Sequence, residues 1–127
     1  MPVVFNESIA NPDSSVVRID ATITTDENGD ATGTTVGSYQ GRLIGGVIKD
    51  GETAPDNEYS FTVTDATGYD ILQGAGATIF PGFNVSFTET SSGYVTNQQL
   101  TFTVGVPALG TPNNAKTMDV VLFFRKI

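Results

Sequence analysis

The sequence predicts an all-β domain, an antiparallel two-sheet sandwich of about eight strands, and three observations predict it. Apolar and polar residues alternate at period 2 in run after run, which places one face of each run inward. Signals for tight turns separate these runs at short, regular intervals. The polar residues are mostly Thr, Gly, Ser and Asn, which suit strands and turns, and no long stretch carries an apolar stripe at i, i+3, i+4, i+7. Jelly-roll and immunoglobulin-like connectivities both fit that pattern. At 127 residues the chain fits one domain, expected to span 16–127 behind an N-terminal arm of residues 1–15.

The arm contains Pro2, Pro12, Ser14 and Ser15 and is expected to be irregular. Val3, Val4, Phe5 and Ile9 make it too apolar for a free tail, so it packs on its own domain or reaches a neighbouring subunit. In residues 16–25, Val17, Ile19, Ala21 and Ile23 point one way. Asn28-Gly29 then reads as a hairpin turn, with residues 31–36 as a Thr- and Gly-rich returning strand at a sheet edge. Residues 39–48 read as an inner strand, with Tyr39, Leu43 and Val47 on one face and Ile44 and Ile48 on the other. Gly45-Gly46 marks a bulge or a close backbone approach. A polar loop, 50–58, carries four acids into the stretch that anchors the chain, 58–72 (EYSFTVTDATGYDIL). Tyr59, Phe61 and Val63 alternate there with Ser60, Thr62 and Thr64, and a turn at 65–68 leads back to Tyr69, Ile71 and Leu72 as a hairpin. A Gly-rich segment, 73–77, a Pro81-Gly82 turn, a strand with Phe83, Val85 and Phe87, and a turn at 91–93 follow. Leu100, Phe102, Val104 and Val106 alternate before a loop over 107–114. The last strand, 117–126, is the most apolar: Met118, Val120, Leu122 and Phe124 share one face, Val121 and Phe123 the other. A strand apolar on both faces is central in its sheet or lies under a subunit contact.

Composition narrows the function classes. There is no cysteine, which rules out disulfides and thiolate metal sites, and no histidine, which removes the commonest general base and metal ligand. A net charge of −8 opposes non-specific nucleic-acid binding. Residues 1–70 hold twelve acids and three bases, residues 71–127 two acids and three bases, and the acidic surplus is either a solvated surface or a partner-binding face. The N-terminus lacks a basic segment followed by an apolar run, and no apolar run approaches the ~20 residues of a membrane helix, so the expectation is a protein made in the cytoplasm without membrane contact.

Three constellations merit a chemical reading. Asp26, Asn28 and Asp30 have the spacing that opens some calcium loops, but the Gly and distal Glu of such loops are missing in register, and a hairpin turn explains the same residues. Asp65 and Asp70 flank a turn and resemble a glycosidase carboxylate pair only if a cleft separates their pKa values; turn capping explains both. Tyr39, Tyr59, Tyr69 and Tyr94 form either a sugar-stacking platform or ordinary half-buried strand positions. No phosphate loop or His-dependent triad is present. The expectation is a protein that is not an enzyme and has no cofactor, metal or catalytic residue.

The strand 16–25 turning at 27–32 (ENGDAT), the segment 41–44 (GRLI), the stretch 59–72 and the closing 120–125 (VVLFFR) together resemble small virion structural proteins of tailed bacteriophages. The resemblance lies in layout and composition from residue 16 onward. It implies a capsid decoration (cement) protein that binds the major capsid protein on the outer surface of the virion head, as a homotrimer, through protein–protein contacts. Val3, Val4, Phe5 and Ile9 of the arm, with Met118, Val121 and Phe123 of the last strand, are then expected to carry subunit or capsid contacts. A tail, neck or head-spike component is the alternative within virions, and a carbohydrate-binding module is the alternative outside them.

Overall fold

The computed structural model describes residues 3–9, 16–80, 82, 85–88, 94–105 and 115–125. Among these are nine strands: β1 (Val3–Ile9), β2 (Val16–Thr24), β3 (Ala31–Thr34), β4 (Tyr39–Asp50), β5 (Ser60–Thr64), β6 (Val85–Thr88), β7 (Tyr94–Gln98), β8 (Thr101–Gly105) and β9 (Thr117–Arg125). They form two antiparallel sheets. The large one has six strands in the order β1-β2-β9-β4-β6, with β7 also on β4, and the small one has three in the order β3-β8-β5. The two-sheet sandwich expected from the alternation is the observed architecture.

Alternation places the core. Val17, Ile19, Ala21 and Ile23 of β2 and Met118, Val120, Leu122 and Phe124 of β9 are buried on one side of the large sheet. Phe61 and Val63 of β5 and Phe102 and Val104 of β8 meet them from the small sheet, with Tyr59 and Leu100 just outside those strands. Phe61 and Phe102 touch edge to face at 5.7 Å, and Tyr39 stacks on Phe124 at 6.1 Å. Each Val, Ile, Leu, Met or Phe side chain among these contributes roughly 1.5–3 kcal/mol by leaving water. β9 is central, bonded to β2 along one edge and β4 along the other.

Four local expectations are corrected. Val3–Ile9 is not irregular: it is strand β1, running antiparallel to β2 with Val3 opposite Ile23 and Ile9 opposite Val17. A β-prone apolar segment has taken the edge that β2 leaves open. The turn at 26–30 does close tightly, with Gly29 at φ 78° and its N–H donating to the Asp26 carbonyl at 3.1 Å. The strand it leads to, however, joins the small sheet, because β1 and β9 already occupy both edges of β2. In β4 the register with β9 slips between Leu43 and Gly45. This bulge is where the Gly pair predicted it, and the extra residue shifts the phase: Leu43 and Ile48 both point inward, and Val47, opposite Val121, points outward. Finally, the return arm of the 58–72 hairpin is a single bridge, Thr64 to Asp70, followed by turns rather than a strand.

Those turns still build core. Ile71, Leu72 and Ile79 are buried, held along β5 by the Ile71 N–H to the Val63 carbonyl, the Phe61 N–H to the Gly76 carbonyl and a bridge between Tyr59 and Ile79. β7 has no counterpart among the expected strands. It and β6 share one edge of β4, β7 beside Tyr39–Arg42 and β6 beside Gly45–Ile48. Phe83, Val106, the turn at 91–93 and the loop 107–114 lie outside the described residues.

Candidate functional site

The buried side chains of both sheets join in one core cluster, so the small sheet covers one face of the large sheet, and among the described residues those of the other face are partly covered or exposed. Pairing in register lines up three rows on that outer face. Val4, Thr22, Asp119 and Lys49 form the first, and Asn6, Asp20, Val121, Val47 and Ser86 the second; the third runs through Arg18, Phe123 and Gly45. Val47, Val121 and Phe123 are only partly covered, and Val4 is 63% exposed. The Arg18 guanidinium lies over the Phe123 ring, 5.7 Å from its centre, and donates to both oxygens of Asp20 at 3.0 and 2.9 Å. Hydrogen bonding to Asp20, then its charge, raises the Arg18 pKa further above an already high value. One row on, Arg42 stands directly opposite Arg125.

The expected contact residues divide over this frame. Val121 and Phe123 sit side by side at the middle of the outer face of the large sheet, on the central strand. Val4 is exposed at its β1 edge. Met118 is corrected: it is fully buried in the core, because it shares the inward phase of β9 with Val120 and Leu122. The side chains of Val3, Phe5 and Ile9 lie outside the described residues. Sequence reasoning missed Val47, which joins Val121 only because of the bulge, and Arg18. Its phase opposite to Val17 and Ile19 was readable, whereas its place on Phe123 depends on the β2–β9 register.

The other constellations are structural in this frame. The Asp26 carboxylate accepts the N–H groups of Asn28 at 2.8 Å and Asp30 at 3.0 Å, as a turn-closing residue does. Among the described residues no group of three or more acidic, His or Cys side chains is placed to hold a metal ion. Asp65 accepts from the Thr67 hydroxyl at 2.6 Å and from the N–H groups of Thr67 and Tyr69. The Thr67 hydroxyl is the main reason its pKa lies below the usual carboxylate range; burial opposes it, and the backbone N–H groups of Tyr69, Thr67 and Gly68 add to the lowering. Asp70 accepts from the N–H groups of Leu72, Gly74 and Val63. Both carboxylates are therefore turn caps. Tyr39 and Tyr59 are interior, so no four-tyrosine platform exists; the Tyr94 side chain lies outside the described residues.

The outer face of the small sheet differs in chemistry. Thr32 pairs with Thr103 through hydroxyls at 3.5 Å and Thr34 with Thr101 at 3.0 Å. An open depression of about 540 Å³ adjoins these residues, lined by Asp26, Asp30 and Val104 among others. Cross-strand Thr pairs satisfy one another, which suits a solvent-facing surface. The partly covered apolar side chains gather instead on the large sheet.

Comparison with known proteins adds little. No family model matches the chain, and no curated protein matches it. Among solved structures, the tailspike protein 4 enzymatically active domain of bacteriophage CBA120 aligns at 12% identity over 99% of this chain, with a TM-score of 0.20. The chain spans 17% of that structure's length. A likeness of that degree carries no argument about fold or function.

Proposed function

We propose that this chain is a structural protein of a tailed-phage virion, and specifically a decoration protein that docks on the major capsid protein at the outer surface of the head, as a homotrimer. The docking surface is the outer face of the large sheet. The observation that carries this reading is the side-by-side placement of Val47, Val121 and Phe123, each only partly covered, on the side of β4 and β9 that faces away from the small sheet. An apolar centre with charged residues around it is the anatomy of a protein-contact surface. The resemblance in layout to small phage virion proteins is what favours the major capsid protein as the partner. The absence of cysteine and histidine suits a module stabilised by its neighbours rather than by a thiolate or imidazole cofactor site.

Co-sedimentation with expanded heads that lack the protein tests the proposal. Wild-type protein is expected to pellet with the heads, and Thr103→Glu, on the opposite outer face, is expected to pellet equally. Phe123→Glu is expected to stay in the supernatant while keeping its β-sheet circular dichroism. Wild-type protein that never pellets, or Phe123→Glu that pellets normally, refutes it.

A further inference from the structure

We propose that Asn28-Gly29 is a self-modification site: a deamidating pair that the turn built on Asp26 holds unreactive, and that reacts once the turn opens. The inference lies outside shell docking and does not depend on it.

Of the eight asparagines, only Asn28 is followed by glycine. A glycine has no side chain to obstruct attack by its own nitrogen. The reaction needs no co-reactant except water. The Gly29 nitrogen gives up its proton to base and bonds to Asn28 Cγ. The bond from Cγ to Nδ2 then breaks, and the side-chain nitrogen takes up a proton and leaves as ammonia. Water adds to either carbonyl of the resulting five-membered imide. Opening one C–N bond leaves aspartate in the ordinary linkage. Opening the other leaves isoaspartate, whose main chain runs through the side chain and is one carbon longer.

The closed turn withholds the nucleophile. Gly29 is buried, and its N–H donates to the Asp26 carbonyl at 3.1 Å, so the proton that must leave is bonded and shielded. The backbone on both sides of Gly29 is fixed as well. The Asp26 carboxylate accepts the N–H groups of Asn28 at 2.8 Å and Asp30 at 3.0 Å, and the Asp26 N–H donates to the Asp30 carbonyl at 2.9 Å. The Asn28 side chain, by contrast, is exposed, and among the described residues no partner holds its carboxamide. One half of the reacting pair is therefore free and the other is locked.

Conversion would not be local in effect. The Asp26 carbonyl also accepts the Ala115 N–H at 3.4 Å, and Thr25 donates its N–H to the Lys116 carbonyl while its hydroxyl accepts the Lys116 N–H, both at 2.9 Å. The turn thus fastens the approach to β9. With an extra main-chain carbon at position 28, the Gly29 N–H no longer reaches the Asp26 carbonyl in the same turn. Isoaspartate makes the opening permanent and loosens that attachment.

Peptide mapping by mass spectrometry tests this on the purified full chain, incubated in mildly alkaline buffer with and without denaturing urea. Because the turn's hydrogen bonds open together, position 28 is expected to convert at least about tenfold more slowly in the native chain than in urea. Asp26→Ala, which removes the cap, is expected to convert several-fold faster than native wild type. Asp26→Asn, whose side-chain oxygen still accepts both N–H groups, should stay close to wild type. Amide hydrogen exchange on wild type gives a second reading that needs no variant: Gly29 should be protected, since both reactions require the same opening. The isoaspartyl fraction, separated by chromatography, should unfold at lower urea than unconverted protein. Native conversion as fast as in urea overturns the proposal, as does a Gly29 amide that exchanges as in the unfolded chain. A folded Asp26→Ala no faster than wild type overturns the role of the cap, and an isoaspartyl form as stable as wild type overturns the effect on the turn.

Discussion

Replacing Gly46 by alanine tests the packing of the two central strands. Gly46 pairs with Leu122 on the inward phase of β4. A Cβ there would stand 2.5 Å from the Val121 carbonyl oxygen and 2.7 Å from Leu122 Cδ2, about 1 Å inside a normal contact. The obstructing oxygen is backbone, and β9 cannot retreat because β2 bonds its far edge. Overpacking of this kind costs roughly 1–3 kcal/mol, while losing glycine's freedom in the unfolded chain returns about 0.4–1 kcal/mol. The net expectation is destabilisation by about 1–2 kcal/mol. Gly105→Ala is the matched control, since its Cβ would meet only Ser60 Oγ at 3.4 Å and Asp30 Oδ1 at 3.8 Å. With no clash, only the unfolded-state effect remains, a gain of about 0.4–1 kcal/mol. Urea unfolding reads both, with an unchanged m-value expected for each. Opposite signs support the register of β4 on β9. A Gly46→Ala protein as stable as wild type refutes it.

Thr35 is buried, its hydroxyl donating to the Gly37 carbonyl at 2.8 Å and accepting from the Leu100 N–H at 3.1 Å. Thr35→Val is therefore expected to lose about 1–3 kcal/mol in urea unfolding, and Thr35→Ser to keep most of it. The Asp65 pKa is depressed in the folded state, so its stabilisation is present above the unfolded carboxylate value and disappears as pH falls through the folded one. Acid titrations of stability should accordingly be shallower for Asp65→Asn than for wild type. Burial first, and the charge of Asp50 second, push the Tyr59 phenol well above its ordinary value. The unfolded chain then ionises this tyrosine before the folded one does, and stability falls as pH rises past about 10; Tyr59→Phe should reduce that alkaline slope. The Tyr59 hydroxyl has no hydrogen-bond partner among the described residues, so Tyr59→Phe should cost nothing at neutral pH, and a loss above about 1 kcal/mol would show that the hydroxyl is bonded.

Strand faces were legible because burial on one side leaves a period-2 trace. Ile19, Ile23, Phe61, Phe102, Leu122 and Phe124 all lie inward as their alternation requires. Which sheet a strand joins leaves no such trace: residues 31–34 read as the partner of β2 yet pair with β8, since edge occupancy is a property of the whole chain. Phase across a bulge is equally hidden, and Val47 changed sides for that reason. Ile71, Leu72 and Ile79 are as buried as any strand residue while lying in turns, where hydrophobicity fixes depth but not backbone shape. Of the candidate contact surface, Val121 and Phe123 were readable as the second face of an apolar strand. Their neighbours Val47 and Arg18 arrive from distant segments through sheet register.

The most direct test of the account is a face-specific thiol footprint, which the absence of native cysteine makes clean. Ser86→Cys places a thiol opposite Val47 on the outer face of the large sheet, and Thr103→Cys places one on the outer face of the small sheet. Both native side chains are exposed, so both thiols should react with a maleimide in the free protein. After binding to expanded heads, protection at position 86 with undiminished labelling at position 103 is the predicted result. Equal labelling at both positions on bound protein, or protection at position 103 alone, would contradict it.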